Sequence, residues 1–345
     1  MLRLEKILDE HGYDLGEKVG YGSFSKVFKV FSRNYKQIFV AKIIERNYRQ
    51  PEKQCKQYER EVNSLMTIFH PNVISIYDHF ECDEAMFLIL EYCNGGTIDG
   101  FVAKNGPPDD KTLARFCSQI IQALLFCHSN EIAHRDLKPS NIFIDQYGRI
   151  KLADFGLADL ISNATSTTSM TGTKAFLPPE AWYTTQYDLK LGDIWALGVT
   201  FYFLATGEYP WDFTSAASLE NSIRNADFSI PDKVSKPFAD IINCLLQVDP
   251  LKRMPLQILL QQDFFSQNVM PPPEKSIFQT PHLLSARTKV KRKSFIEPLV
   301  VSSSCKVHVK KVTSGRVAAV RSCSSVPPIP TFKCYNGNSK LCLFK

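Results

Sequence analysis

The sequence lacks the patterns that mark metal-binding, secreted or membrane-spanning proteins. Its ten cysteines form no C-x-x-C pair, which argues against zinc sites and thioredoxin-type sites. Charged residues stand where a signal peptide would have an apolar core, and the longest apolar run, Ile194 to Thr206, is too short to cross a bilayer. Most cysteines have apolar neighbours, as reduced core thiols do. We therefore expect a cytoplasmic protein with no transmembrane segment.

Charge is distributed unevenly along the chain. Residues 266–345 contain 14 of the 41 Lys and Arg residues but only 2 of the 35 Asp and Glu residues. The tail therefore carries a net charge of +12, and residues 1–265 carry −6. This division predicts a mildly acidic folded body with a basic appendage, and it argues against a nucleic-acid-binding fold.

The most informative stretch is a polar loop between two apolar runs. Residues 134–141 read H-R-D-L-K-P-S-N and supply Asp136, Lys138 and Asn141. Phosphoryl transfer needs a carboxylate that accepts the hydroxyl proton, a lysine that stabilises the migrating charge, and an amide that holds magnesium. Any three of the eight residues could form an ordinary charged turn. All eight in this order resemble the catalytic loop of eukaryotic protein kinases.

A glycine-rich stretch near the N-terminus supports the resemblance. Gly20 and Gly22 would let the backbone approach phosphate oxygens, although a plain hairpin turn explains two glycines equally well. Ser25 replaces the third glycine of the family's loop, and serine keeps the loop small. The resemblance places Val27 over the adenine of bound ATP.

A lysine in an apolar strand is the next feature. Lys42 follows Ala41 in a segment similar to the family's Val-Ala-Ile-Lys. In the family, the lysine of this motif binds the α- and β-phosphates of ATP. Such a lysine needs a partner. Within the helix predicted at 52–68, the resemblance favours Glu61, with Glu59 as the competing candidate and a solvated carboxylate as the alternative. Apolar positions on this helix include Met66 and Phe69.

Strands predicted at 73–80 and 85–91 lead to a segment that resembles the kinase hinge. Its backbone groups would bind the adenine. The resemblance assigns Leu90 as the gatekeeper and adds Glu91, Cys93 and Phe143 to the ATP-binding residues.

A second motif, D-F-G, begins at Asp154, 18 residues after Asp136. In the family this aspartate binds magnesium together with the catalytic-loop asparagine, here Asn141. The polar segment 157–177 then resembles an activation loop. In the family, an arginine directly before the catalytic aspartate marks enzymes whose activation loop is ordered by phosphorylation. The pair Arg135–Asp136 therefore implies such control here, and we expect Ser169 to be the site, with Thr168 as its neighbour.

Several other positions match structural anchors of the family. Thr173 would hydrogen-bond Asp136 and Lys138, Asp193 would begin an apolar helix and hold the catalytic loop, and Arg253 would pair with Glu180.

The resemblance to the calcium/calmodulin-dependent and AMP-activated branch comes from the hinge and the Tyr-Pro-Trp turn. In that branch, two acidic residues often bind a basic residue of the substrate upstream of the acceptor. Thr97 and Ser140 stand at these two positions here. We therefore expect no strong requirement for arginine three residues before the acceptor.

The resemblance implies an α+β, bilobal protein kinase fold with a small β-rich N-lobe and a larger helical C-lobe. Its implied activity is transfer of the ATP γ-phosphoryl group to Ser or Thr of protein substrates with Mg²⁺. An upstream activating kinase is a further partner that the resemblance implies. The alternatives are a catalytically silent pseudokinase scaffold and a small-molecule or lipid kinase.

We expect an N-terminal extension (1–12), a kinase domain (13–265, with N-lobe 13–91, hinge 92–96 and C-lobe 97–265) and a disordered basic tail (266–345). The basic run Lys289–Lys293 is first of all a solvated charge run. The alternatives are a nuclear signal, a membrane-surface patch and an autophosphorylation context for Ser294.

Overall fold

The structure, a computed structural model, describes residues 2–21, 25–46, 51–160, 166–167, 173–184 and 186–268. All of them belong to one compact unit, residues 1–274. Its smaller lobe consists of a five-stranded antiparallel sheet and two helices. The elements are α1 (Leu2–Glu10), β1 (Tyr13–Tyr21), β2 (Ser25–Ser32), β3 (Gln37–Glu45), α2 (Pro51–Thr67), β4 (Ile76–Glu81) and β5 (Ala85–Glu91).

The sheet has the strand order β1-β2-β3-β5-β4 and packs a helix on each face. Alternate residues of β3, such as Phe39, Ala41 and Ile43, are buried in a cluster that includes Leu8 of α1. On the opposite face, Ile44 packs with residues of α2. Successive β3 side chains point to opposite faces of the sheet, so this one strand contributes to both clusters.

The larger lobe is mainly helical. Its helices are α3 (Ile98–Asn105), α4 (Asp110–Ser129), α5 (Leu189–Thr206), α6 (Ala216–Asn225), α7 (Lys236–Leu245), α8 (Leu256–Leu259) and α9 (Asp263–Asn268). Its short strands are β6 (Ile132–Ala133), β7 (Ile142–Ile144), β8 (Ile150–Leu152), β9 (Asp159–Leu160), β10 (Ser166–Thr167) and β11 (Gln186–Tyr187). They pair as β6 with β9, β7 with β8, and β10 with β11.

Helix α5 forms the centre of this lobe because it is apolar on every side and almost entirely buried. The Asp188 side chain caps its first turn by accepting hydrogen bonds from two backbone amides, and Gly207 ends it in the left-handed conformation at φ 81°. Asp193 therefore lies inside the helix, and the prediction that it begins the helix is wrong by one turn. In the described part of the chain, no helix combines the length and the apolar character needed to span a membrane.

The expected bilobal α+β fold is confirmed by this arrangement. Two details of the predicted α2 stripe are wrong, because the Met66 and Phe69 side chains are 65% and 71% exposed. Leu65 is buried, and the next residue of the helix, Met66, lies outside the buried face. Phe69 comes after the helix has ended at Thr67, so the helical spacing no longer applies to it.

Candidate active site

Lys42 lies at the meeting point of three elements. Its Nζ atom is 2.7 and 2.8 Å from the carboxylate oxygens of Glu61, on α2, and 2.9 Å from Oδ1 of Asp154. Burial opposes the charge on Lys42, but Asp154 and Glu61 together raise its pKa above the ordinary value. The structure thus brings Glu61 to the lysine, while the competing Glu59 is exposed.

Asp154 has an unusual backbone conformation. Its φ of 64° lies in the left-handed region, which costs energy for a residue other than glycine. The attraction of Lys42 lowers the pKa of its carboxyl group below the usual range, so the group is charged at neutral pH. Phe155 follows, fully buried, with its ring 4.7 Å from that of His134. This packing holds the D-F-G segment against the catalytic loop.

Asp136 is surrounded by hydrogen-bond donors. Lys138 Nζ lies 2.7 Å and Asn141 Nδ2 lies 2.9 Å from its Oδ2 atom. The Thr173 hydroxyl donates to Oδ1 over 3.3 Å and accepts a hydrogen bond from Lys138 over 2.9 Å. The predicted contacts of Thr173 are therefore present, and they join the catalytic loop to the C-terminal part of segment 157–177.

The catalytic loop is held from below by Asp193, as predicted. Its carboxylate accepts hydrogen bonds from the backbone amides of His134 and Arg135, each over 2.8 Å. The His128 ring contacts the same carboxylate over 2.9 Å, a contact that the sequence did not reveal. Burial opposes the charge of Asp193, yet these contacts leave its pKa below the ordinary value. The loop is therefore fixed by a buried anion.

The other residues predicted to bind ATP fall into two groups according to their burial. Ala41 and Cys93 are buried, and burial raises the pKa of the Cys93 thiol to about 12. Half-buried residues form the second group, which comprises Ser25, Val27, Leu90, Glu91 and Phe143. Gly20 pairs with Val27 across β1 and β2, whereas Gly22 lies outside the described residues.

The hinge is joined to β7 at its far end. The Gly95 amide donates to the Ile144 carbonyl over 2.9 Å, and the Ile144 amide donates to the Gly96 carbonyl over 2.8 Å. A Cβ atom on Gly95 would lie 2.7 Å from that Ile144 carbonyl oxygen. Only glycine permits this close approach, which fixes the hinge to the larger lobe.

Two further pairs complete the geometry. Arg253 and Glu180 form the predicted ion pair, with nitrogen–oxygen distances of 2.7 and 2.6 Å. Lys151 and Glu91 form a pair that the sequence interpretation missed. The feature that drew attention to Lys42, a lysine in an apolar strand, also applies to Lys151 in the sequence I-K-L and could have revealed it.

Comparison with known families identifies the fold. The family model described as "Protein kinase domain" matches residues 13–265. The chain belongs to the protein kinase family. Together with the relatives described next, this match confirms the resemblance to serine/threonine protein kinases that was drawn from the motifs.

Similar kinases come from several branches. CBL-interacting protein kinase 32 of Oryza sativa subsp. japonica is 30% identical over 263 residues, which is 75% of this chain and 60% of that protein. CBL-interacting serine/threonine-protein kinase 3 of Arabidopsis thaliana is 31% identical over 265 residues, with the same coverage. Aurora kinase B of Danio rerio is 31% identical over 270 residues, 77% of this chain and 84% of that protein. The aligned part of this kinase thus spans about 60% of the length of the CBL-interacting relatives.

Proposed function

We propose that this kinase domain is catalytically competent and transfers the ATP γ-phosphoryl group to Ser or Thr hydroxyls of protein substrates. The three-way contact of Lys42 with Glu61 and Asp154 supports this most strongly. Through this contact, the charged lysine of β3 is held by α2 and by the D-F-G segment. The α- and β-phosphates would bind at this point. A pseudokinase usually lacks the strand lysine, the catalytic aspartate or the metal-binding aspartate, and this chain keeps all three as Lys42, Asp136 and Asp154.

Magnesium fits the donor set of the site. Within the described residues, no three His, Cys, Asp or Glu side chains are grouped as a metal site. This is compatible with Mg²⁺, which is usually bound by one or two carboxylates together with substrate phosphates and water. Asp154 and the side-chain oxygen of Asn141 would hold it. Bound magnesium would neutralise charge on the phosphate oxygens.

The remaining roles follow from Asp136 and its neighbours. Asp136 would accept the proton of the attacking Ser or Thr hydroxyl while the oxygen forms its bond to the γ-phosphorus. The bond between that phosphorus and the β–γ bridging oxygen would break at the same time, and ADP would leave. Asn141 and Thr173 hold the carboxylate in place, and Lys138 lies close enough to stabilise the charge on the transferred group. Catalysis in this scheme rests on position and electrostatics.

A Lys42→Met variant tests the proposal. We expect labelled-phosphate transfer from ATP–Mg²⁺ to a mixed protein substrate to fall at least about 100-fold, because the phosphates lose their cation. Phosphoamino acid analysis of the wild-type product should show phosphoserine or phosphothreonine. A control is Lys190→Met, which removes a lysine of the larger lobe that pairs with Glu131. Equal transfer by wild type and Lys42→Met would contradict the proposal.

We also propose that activation-loop phosphorylation regulates the enzyme. Ser169 and Thr168 lie outside the described residues, so the proposal rests on Arg135 beside Asp136 and on the Ser/Thr-rich sequence of the loop. A Ser169→Ala/Thr168→Ala double variant should lose most of the activity of the phosphorylated enzyme. Full activity of that variant after treatment with an activating kinase would refute this site.

A further inference from the structure

A second buried lysine, Lys151, has no role in the scheme above. It lies in β8, and its side chain is only 7% exposed. Its Nζ atom is 2.8 Å from Oε1 and 2.9 Å from Oε2 of Glu91, the last residue of β5. Buried lysines are almost always paired, and this pair joins the larger lobe to the residue from which the hinge starts.

The Glu91 side chain is held in a defined position. The Ser75 amide donates to its Oε2 atom over 3.3 Å, and the Glu91 amide donates to the Ser75 carbonyl over 2.9 Å. Lys151 approaches the same carboxylate from the larger lobe. The ion pair therefore anchors the start of the hinge, just as the backbone bonds between Gly95, Gly96 and Ile144 anchor its end.

Lys151 also lies next to the other parts of the nucleotide site. It pairs with Phe143 in the register of β7 and β8, and it precedes Asp154 by three residues. Lys151 thus belongs to the strand that leads to the predicted magnesium ligand, and it is paired in register with a residue predicted to bind ATP.

We propose that Lys151 is a positioning residue for ATP. By holding the Glu91 carboxylate against the larger lobe, it fixes the hinge backbone at the place where adenine binds. Lys151 itself does not contact the nucleotide. This inference rests on the proposed ATP-binding function of the hinge.

Binding of adenosine and of ATP–Mg²⁺ to the full chain tests the inference without any phosphoryl transfer. Lys151→Met should weaken both ligands by the same factor, about tenfold, because only the adenine end of the site is displaced. Lys190→Met is the control, since Lys190 pairs with Glu131 over 2.8 Å in the larger lobe. It should change either affinity less than about twofold.

Three results would overturn the inference. The first is unchanged adenosine affinity in Lys151→Met. The second is loss of ATP affinity alone, which would mean that Lys151 acts through Asp154. The third is absence of adenosine binding to the wild type. A wild type that binds adenosine but transfers no phosphate would refute the proposed function alone.

Further variants separate positioning from folding. Lys151→Arg keeps a cation able to reach both carboxylate oxygens, so it should restore most of the adenosine affinity. Glu91→Gln removes the same ion pair and should weaken adenosine binding as Lys151→Met does. If Lys151 and Glu91 act through each other, the variant that carries both substitutions should bind adenosine no less tightly than the single variant with the lower affinity. If the loss of adenosine affinity in the double variant equals the sum of the losses in the two single variants, the proposal is contradicted. This comparison holds even if one single variant folds poorly.

Discussion

At the scale of single residues, Arg253 shows how a buried charge can be matched by several acceptors. Arg253 has a side chain with no exposed surface. Besides its two bonds to Glu180, it donates to the carbonyls of Leu191 over 2.8 Å and Gln247 over 3.0 Å, and its guanidinium lies 5.1 Å from the Trp195 ring centroid. Such complete pairing is what makes a buried ion pair tolerable.

Removal of this arginine should therefore be severe. We expect Arg253→Met to destabilise the folded domain by about 3–5 kcal/mol, because Glu180 is left buried without its partner. Lys236→Met is a suitable control, since its pair with Asp240 spans 3.8 Å on the exposed surface and should contribute less than about 1 kcal/mol. Urea denaturation followed by circular dichroism measures both variants. Similar midpoints for the two would contradict this account of the pair.

The sequence predicted individual residues well only where a motif fixed their spacing. Glu61 could be placed opposite Lys42 because both lie at set distances from recognised motifs. Lys151 and Glu91 are 60 residues apart, and their contact depends on how the hinge packs against β8. His128 likewise meets Asp193 only through the packing of α4 against α5. Contacts made by tertiary packing leave no short-range pattern to read.

At the scale of elements, α1 is the main addition to what the sequence predicted. Residues 1–12 were expected to be an extension, yet α1 packs on the outer face of the sheet. Leu8 is fully buried there, and the His11 ring stacks on Phe80 with centroids 3.7 Å apart. The helix therefore covers apolar strand residues that would otherwise face water.

Shortening the buried side chain of α1 tests that role. Leu8→Ala should lower the stability of the smaller lobe by about 2–5 kcal/mol, because it leaves a cavity against the sheet. Glu5→Ala, at an exposed position of the same helix, should change stability by less than about 0.5 kcal/mol. Urea midpoints report the difference. Equal effects of the two substitutions would mean that α1 does not stabilise the sheet.

Strand limits show how tertiary pairing modifies a local pattern. The apolar run from residue 73 predicted a strand to residue 80, but β4 begins at Ile76. Val73 instead forms a bridge with Leu152, and the Ile74 amide donates to the Leu152 carbonyl over 2.9 Å. Hydropathy could not distinguish these residues from the strand because both environments are apolar.

At the scale of the whole molecule, two lobes meet at a site to which both contribute. The smaller lobe supplies Lys42 and Glu61, and the larger lobe supplies Asp136, Asn141 and Asp154. The order and spacing of the motifs were enough to predict this architecture. Residues beyond 268 lie outside the described part of the chain, so the disordered tail and its nuclear signal stay predictions.

The most direct test of the account is an Asp136→Asn variant assayed for both ATP binding and phosphoryl transfer. Asn is nearly isosteric with Asp but cannot accept the hydroxyl proton, so transfer should fall about 10²- to 10⁴-fold. ATP affinity should stay close to that of the wild type, because Asp136 is not among the residues expected to bind the nucleotide. A wild type that binds ATP but labels no serine or threonine, even after treatment with an activating kinase, would contradict the account and favour a scaffold.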